Sequence, residues 1–162
     1  MGSRKKQENT TMLLQNVLLS AKMNDIEDIF ENNKDVMIEP KIDFYNFIKD
    51  KLEEKKLKET DVFAYADITY KYGNKIIIGE RIVKQRDIII RICIAMGLTF
   101  DETQKAIKYY GLEPLYAKRK RDAIIIVFIN QNDGKRKLDN INKLNEELIS
   151  KGERPLRTSS EK

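Results

Sequence analysis

Apolar residues recur at intervals of three and four along most of this chain, the period that gathers side chains on one face of an α-helix. Phe44, Phe47, Ile48 and Leu52 form the clearest stripe, at i, i+3, i+4 and i+8. Met12, Leu13, Val17 and Leu18, then Ile26, Ile29 and Phe30, predict two short amphipathic segments before it. After it, the pattern predicts a short helix from Thr60 to Ala66, a tight turn around Asp67, and a second short helix from Thr69 to Ile78 that stops at Gly79. Thr60 and Thr69 are suited to N-cap these helices, because a hydroxyl there accepts from a backbone N–H with no partner inside the helix. Residues 1–11 and 157–162 are polar, carry no such spacing, and are expected to be frayed tails.

The β-branched runs Ile76-Ile77-Ile78 and Ile124-Ile125-Ile126, with Gly73-Asn74 and Gly79-Glu80 as turns, would also suit a mixed α+β fold. An internal repeat favours helices instead. Arg86-Asp87-Ile88-Ile89-Ile90 recurs as Arg121-Asp122-Ala123-Ile124-Ile125-Ile126, and Gly111-Leu112-Glu113-Pro114-Leu115 recurs as Gly152-Glu153-Arg154-Pro155-Leu156. Each copy reads as a helical hairpin. The first runs from Arg86 to Met96, stops at Gly97, and continues from Phe100 to Tyr110, with Pro114 preventing extension after Gly111. The second has Asp133-Gly134 at its turn and Leu138, Ile141, Leu144 and Leu148 as its second apolar stripe. Two copies stacked on their isoleucine faces make a duplicated bundle, since a solenoid needs about three or more repeats. The expected architecture is all-α, with a tail and helical extension over 1–41, a five-helix domain over 42–117, a second hairpin over 118–156, and a tail over 157–162.

Composition narrows the chemistry. The 162 residues include no His, which removes Ser-His and Cys-His nucleophile pairs and His-ligated metals. The one cysteine, Cys93, lies in the apolar run Ile92-Cys93-Ile94 and reads as a small buried hydrophobe; a lone Cys forms no internal disulfide, which fits a reducing cytosol. The longest apolar run, Ala123–Ile129, is far short of the about 18 residues that span a membrane, and the polar N-terminus lacks the apolar core of a secretory signal. A cytoplasmic protein with no membrane contact is expected. Asp25, Glu27, Asp28 and Glu31 lie at helical spacing and read as a solvated face. There is no Gly-rich phosphate loop, and Asp133-Gly134 lacks the other oxygens of a calcium loop, so no catalytic site, metal or cofactor is expected. The net charge of +5 is uneven: residues 118–162 carry 12 basic against 7 acidic groups, led by Lys118-Arg119-Lys120-Arg121. Such a run supports salt-dependent attraction to phosphates.

Leu57, Val62, Ala66, Ile68, Ile76, Gly79 and Arg81, followed by Met96-Gly97-Leu98-Thr99-Phe100-Asp101-Glu102, carry a family resemblance over residues 44–111. The sequence resembles the Cro/phage-repressor (Xre) type of helix-turn-helix protein. Its continuation through Pro114-Leu115-Tyr116 to Arg121-Asp122-Ala123 resembles a subset of these from low-GC Gram-positive bacteria. The resemblance implies a five-helix helix-turn-helix domain and a sequence-specific DNA-binding transcriptional regulator whose helix from Thr69 to Ile78 enters the major groove. In that pose Thr69 contacts a phosphate, Tyr70, Lys71 and Lys75 face base edges, and Asn74 reaches a base or the backbone. Lys84 and Arg86 follow as phosphate contacts. Symmetric operators would call for a homodimer, although no heptad signature is present.

Three residues depart from the family pattern. Gly73 stands where an aliphatic side chain is usual, at a cost of about 1 kcal/mol relative to Ala inside a helix. Asp67 replaces the turn glycine, a substitution that Asp tolerates because it enters the left-handed region more readily than most residues. Ile78 stands where a polar residue is common, leaving an apolar spot beside the recognition helix. The alternative these departures support is a non-catalytic protein-interaction adaptor on the same fold, with a protein partner in place of double-stranded DNA.

Overall fold

The computed structural model describes residues 2–37, 40–132 and 135–158, so the expected turn at Asp133-Gly134 lies outside the described residues. The chain divides into two compact units, Met1–Ile38 and Glu39–Lys162. In the first, helix α1 spans Gly2–Ser20 and, after a 3-10 turn at Met23–Asp25, α2 spans Ile26–Asn32. Residues 2–11 are therefore helical rather than a frayed tail. Their Arg, Lys, Gln and Glu are strong helix formers, uninterrupted by Pro or an internal Gly. Among the side chains described in this unit none is buried.

The second unit holds α3 (Pro40–Glu54), α4 (Glu59–Ala66), α5 (Tyr70–Ile77), α6 (Arg86–Ala95), α7 (Phe100–Tyr109), α8 (Lys120–Gln131) and α9 (Asn140–Ser150). Every regular element among the described residues is helical, and the isoleucine runs lie in helices, save Ile78, which caps the end of α5. The reason is burial. α6 packs against α4, α7 and α9, and Ile88, Ile89, Ile90, Ile92, Cys93 and Ile94 are all buried. A helix apolar on every side belongs at a centre, and each buried isoleucine contributes about 1.5–3 kcal/mol against a propensity loss of under about 1 kcal/mol. Ile125 and Ile129 of α8 and Ile141, Leu144 and Leu148 of α9 extend the same core. Leu138, expected in that stripe, precedes α9 and is exposed.

The repeat has a geometric counterpart. The Arg86 guanidinium donates to the carbonyls of Glu113 (3.1 Å) and Pro114 (3.2 Å), at the end of its own hairpin. Arg121 donates to the matching carbonyls of the second copy, Arg154 (3.0 Å) and Pro155 (3.0 Å). Each arginine then pairs with the aspartate of the other copy, Arg86 with Asp122 at 2.5 Å and Arg121 with Asp87 at 2.9 Å. Both aspartates also accept a backbone N–H two residues beyond the proline, Asp122 from Tyr116 (2.9 Å) and Asp87 from Arg157 (3.0 Å). The returning tails are held alike: Gln104 accepts from the Leu115 N–H at 2.8 Å, and Asn145 accepts from the Leu156 N–H at 2.8 Å. Gly111 and Gly152 end the second helix of each copy with φ of 86° and 79°, a conformation costly for any residue with a Cβ.

Two expectations are corrected here. Thr60 is not a cap: α4 starts at Glu59, with extended Lys58 before it, because the left-handed turn at Lys56 (φ 55°) starts the helix early and Glu59 and Asp61 favour its positive end. Arg157 is not frayed, since Asp87 holds its N–H and Arg91 holds its carbonyl at 2.6 Å. The second hairpin packs against the first within one compact unit, α9 on α6 and α8 on α7.

Candidate nucleic-acid interface

Three residues, Asp67-Ile68-Thr69, connect α4 to α5. Asp67 has left-handed geometry (φ 54°, ψ 50°), as expected of the residue in the turn, and Ile68 is buried beneath it. Thr69 caps α5 by accepting from the Tyr72 N–H at 3.4 Å. Val62, Phe63 and Ala66 of α4 meet Gly73, Ile76 and Ile77 of α5 in the core, which fixes the face that α5 turns outward.

That outward face is one continuous stripe. Tyr70, Lys71, Asn74, Lys75 and Ile78 occur at i, i+1, i+4, i+5 and i+8; Tyr70 and Lys71 are exposed, Asn74 and Lys75 are half-buried, and the exposed Thr69 lies at its start. The Tyr70 ring stands edge-on to Phe63, with centroids 5.6 Å apart, and keeps half of its surface open. Beyond the helix, Ile78 is 41% and Ile82 54% exposed, Lys84 is exposed, and the Arg81 guanidinium lies 4.8 Å from the centre of the Tyr72 ring. The stripe offers an alcohol, a phenol, an amide and two ammonium groups, a set able to donate to phosphates and base edges.

Gly73 has a partner that spacing along the chain does not announce. A Cβ built there would lie 2.4 Å from two carbons of the Phe63 ring. The aromatic ring on α4 fills the space that a side chain on α5 would take.

Arg86 stands apart from this face, its guanidinium taken up by Asp122, Glu113 and Pro114. The basic run is exposed at Lys118, Arg119 and Lys120, but three of its four side chains have partners. Arg119 is bidentate to Glu113 (3.1 and 3.0 Å), the Lys120 ammonium donates to the Lys151 carbonyl (2.6 Å), and Arg121 is bound to Asp87. A residue the spacing missed is Glu59, on the first turn of α4, which accepts from the Asn74 amide at 3.5 Å. It lies 15 residues before Asn74, and only the turn between the helices brings the two together. Among the described residues no group of three or more His, Cys, Asp and Glu side chains could hold a metal, and no helix is long and apolar enough to cross a membrane. No protein-family model, curated protein or solved structure matches this chain.

Proposed function

We propose that the chain is a sequence-specific DNA-binding transcriptional regulator, with α3–α7 as a helix-turn-helix domain and α5 as its recognition helix. The observation that carries this reading is the polar stripe on α5, exposed from its cap at Thr69 to Lys71 and half-buried at Asn74 and Lys75, while the opposite face is locked into the core. Thr69 and Lys84 serve as phosphate contacts, and Tyr70, Lys71, Asn74 and Lys75 as the groups that meet base edges. Arg86 and Arg121 act within the fold and hold the second hairpin against the domain, while the exposed Lys118, Arg119 and Lys120 add salt-dependent attraction to phosphates. The protein carries out no catalysis and works in a bacterial cytoplasm, on operators whose symmetry sets a homodimer.

The test is binding to a pool of random duplex DNA at two salt concentrations, with sequencing of the retained fraction. A recovered motif is expected. Lys71→Ala/Lys75→Ala should lose it, and the slope of log affinity against log salt should flatten by up to about 2 as two positive charges leave the groove. Absence of binding at low salt overturns the proposal.

The exposure of Ile78 and Ile82 beside α5 favours the second reading, a protein-interaction adaptor. In that case partner binding persists in the double lysine variant and falls in Ile78→Ala.

A further inference from the structure

We infer that Glu59 is a positioning residue for base recognition, holding the Asn74 amide in the one orientation that reads adenine. This inference rests on the DNA-binding reading. Glu59 is the first residue of α4 and Asn74 the fifth of α5, and the turn at Asp67-Ile68-Thr69 sets them side by side, with Asn74 Nδ2 donating to Glu59 Oε2 at 3.5 Å.

The chemistry makes the contact one-sided. An ionised carboxylate only accepts, whereas an asparagine amide has one end that donates and one that accepts. Facing Glu59, the amide must turn its NH2 group inward, since the reverse would set two acceptor oxygens against each other. One amide hydrogen is then used, while Oδ1 and the second hydrogen remain. Adenine presents the matching pair in the major groove, an N6 donor beside an N7 acceptor, and guanine presents two acceptors, one of which would oppose Oδ1. A free asparagine rotates between the two orientations and pays for ordering on binding; one held by Glu59 is ordered beforehand.

A carboxylate on a face that carries Lys71 and Lys75 also repels phosphates, and so lowers affinity for every sequence while raising discrimination among them. Glu59→Gln separates the two effects. A glutamine can accept from or donate to the Asn74 amide, so the orientation is no longer imposed, and the negative charge is gone.

The experiment selects from the random duplex pool with the full chain, as wild type and as Glu59→Gln, and compares base preference position by position alongside thermal unfolding of both. Wild type is expected to show one strongly preferred adenine per half-site. In Glu59→Gln that preference should fall by about tenfold while the other positions keep theirs and binding to non-motif DNA tightens, with the melting midpoint lowered only by the few degrees that losing a charge at the α4 N-terminus costs. A purely structural role for Glu59 would weaken all positions together and lower the midpoint by more than that, and this result overturns the inference. An unchanged wild-type motif in Glu59→Gln overturns it as well, and leaves the DNA-binding reading standing. Failure of the wild type to select any motif removes that reading and the inference with it.

Discussion

Gly73 shows how a residue that reads as a weakness along the chain becomes a fit in space. Alanine there would gain about 1 kcal/mol of helix propensity, but its Cβ would meet the buried Phe63 ring at 2.4 Å, and that ring is packed against Tyr70. Overpacking of this kind costs about 1–3 kcal/mol, so Gly73→Ala should destabilise the protein, and Phe63→Leu in the same chain should recover part of the loss. Urea unfolding of the single and double variants checks both. The left-handed Asp67 and the Thr69 cap were legible because each depends on its immediate neighbours. The Phe63–Gly73 fit and the Glu59–Asn74 contact were not, because each joins two helices whose relative placement no local spacing encodes.

At the level of elements, helix boundaries between residues 86 and 110 follow their capping and stop residues to within one position, as the repeat and the glycines indicated. The repeat was visible as a recurrence of Arg-Asp, yet the sequence alone did not say that each arginine pairs with the other copy's aspartate. Asp87 is the most constrained member. Burial pushes its pKa up, but the Arg121 hydrogen bonds, the Arg157 N–H and the charges of Arg121 and Arg86 outweigh burial and hold it below the usual carboxylate value. A carboxylate so depressed stabilises the fold above its unfolded pKa, about 3.9, and that contribution is lost as pH falls through the folded value. Asp87→Asn leaves a largely buried arginine without its counter-ion and should cost about 3 kcal/mol at neutral pH. The gap between wild type and variant should close in acid, below about pH 4, which melting midpoints across that range would show. The same pairing occupies Arg86 and Arg121, and their spacing in the sequence does not reveal the carboxylate that folding brings to each.

Across the whole molecule, the described core lies entirely in Glu39–Lys162, and Cys93 is within it. Burial pushes its thiol pKa up to about 12, and the nearby Thr103 hydroxyl opposes the shift only in part. At neutral pH the native thiol is both enclosed and protonated, so a thiol reagent should reach it only through global unfolding. Labelling rates measured over a urea series should therefore follow the global unfolding free energy, and fast labelling in native buffer would refute this. The outward stripe on α5 was legible for the same reason as this core, since a 3.6-residue period assigns the two faces of a helix together.

The crossed Arg86–Asp122 and Arg121–Asp87 pairs follow the rule of a two-fold interface between identical subunits, in which residue i meets j and j meets i. The two hairpins thus behave as a dimer fused into one chain. Fusion frees each half to change alone, as symmetry between separate subunits never allows. Arg91 occupies the position, 35 residues earlier, that Ile126 holds in the second copy, and donates to Ala66 (3.1 Å), at the end of α4, and to Leu156 (2.6 Å) and Arg157 (2.6 Å) in the closing tail. Through that single asymmetric arginine, the last residues of the duplication are tied to the turn that presents α5.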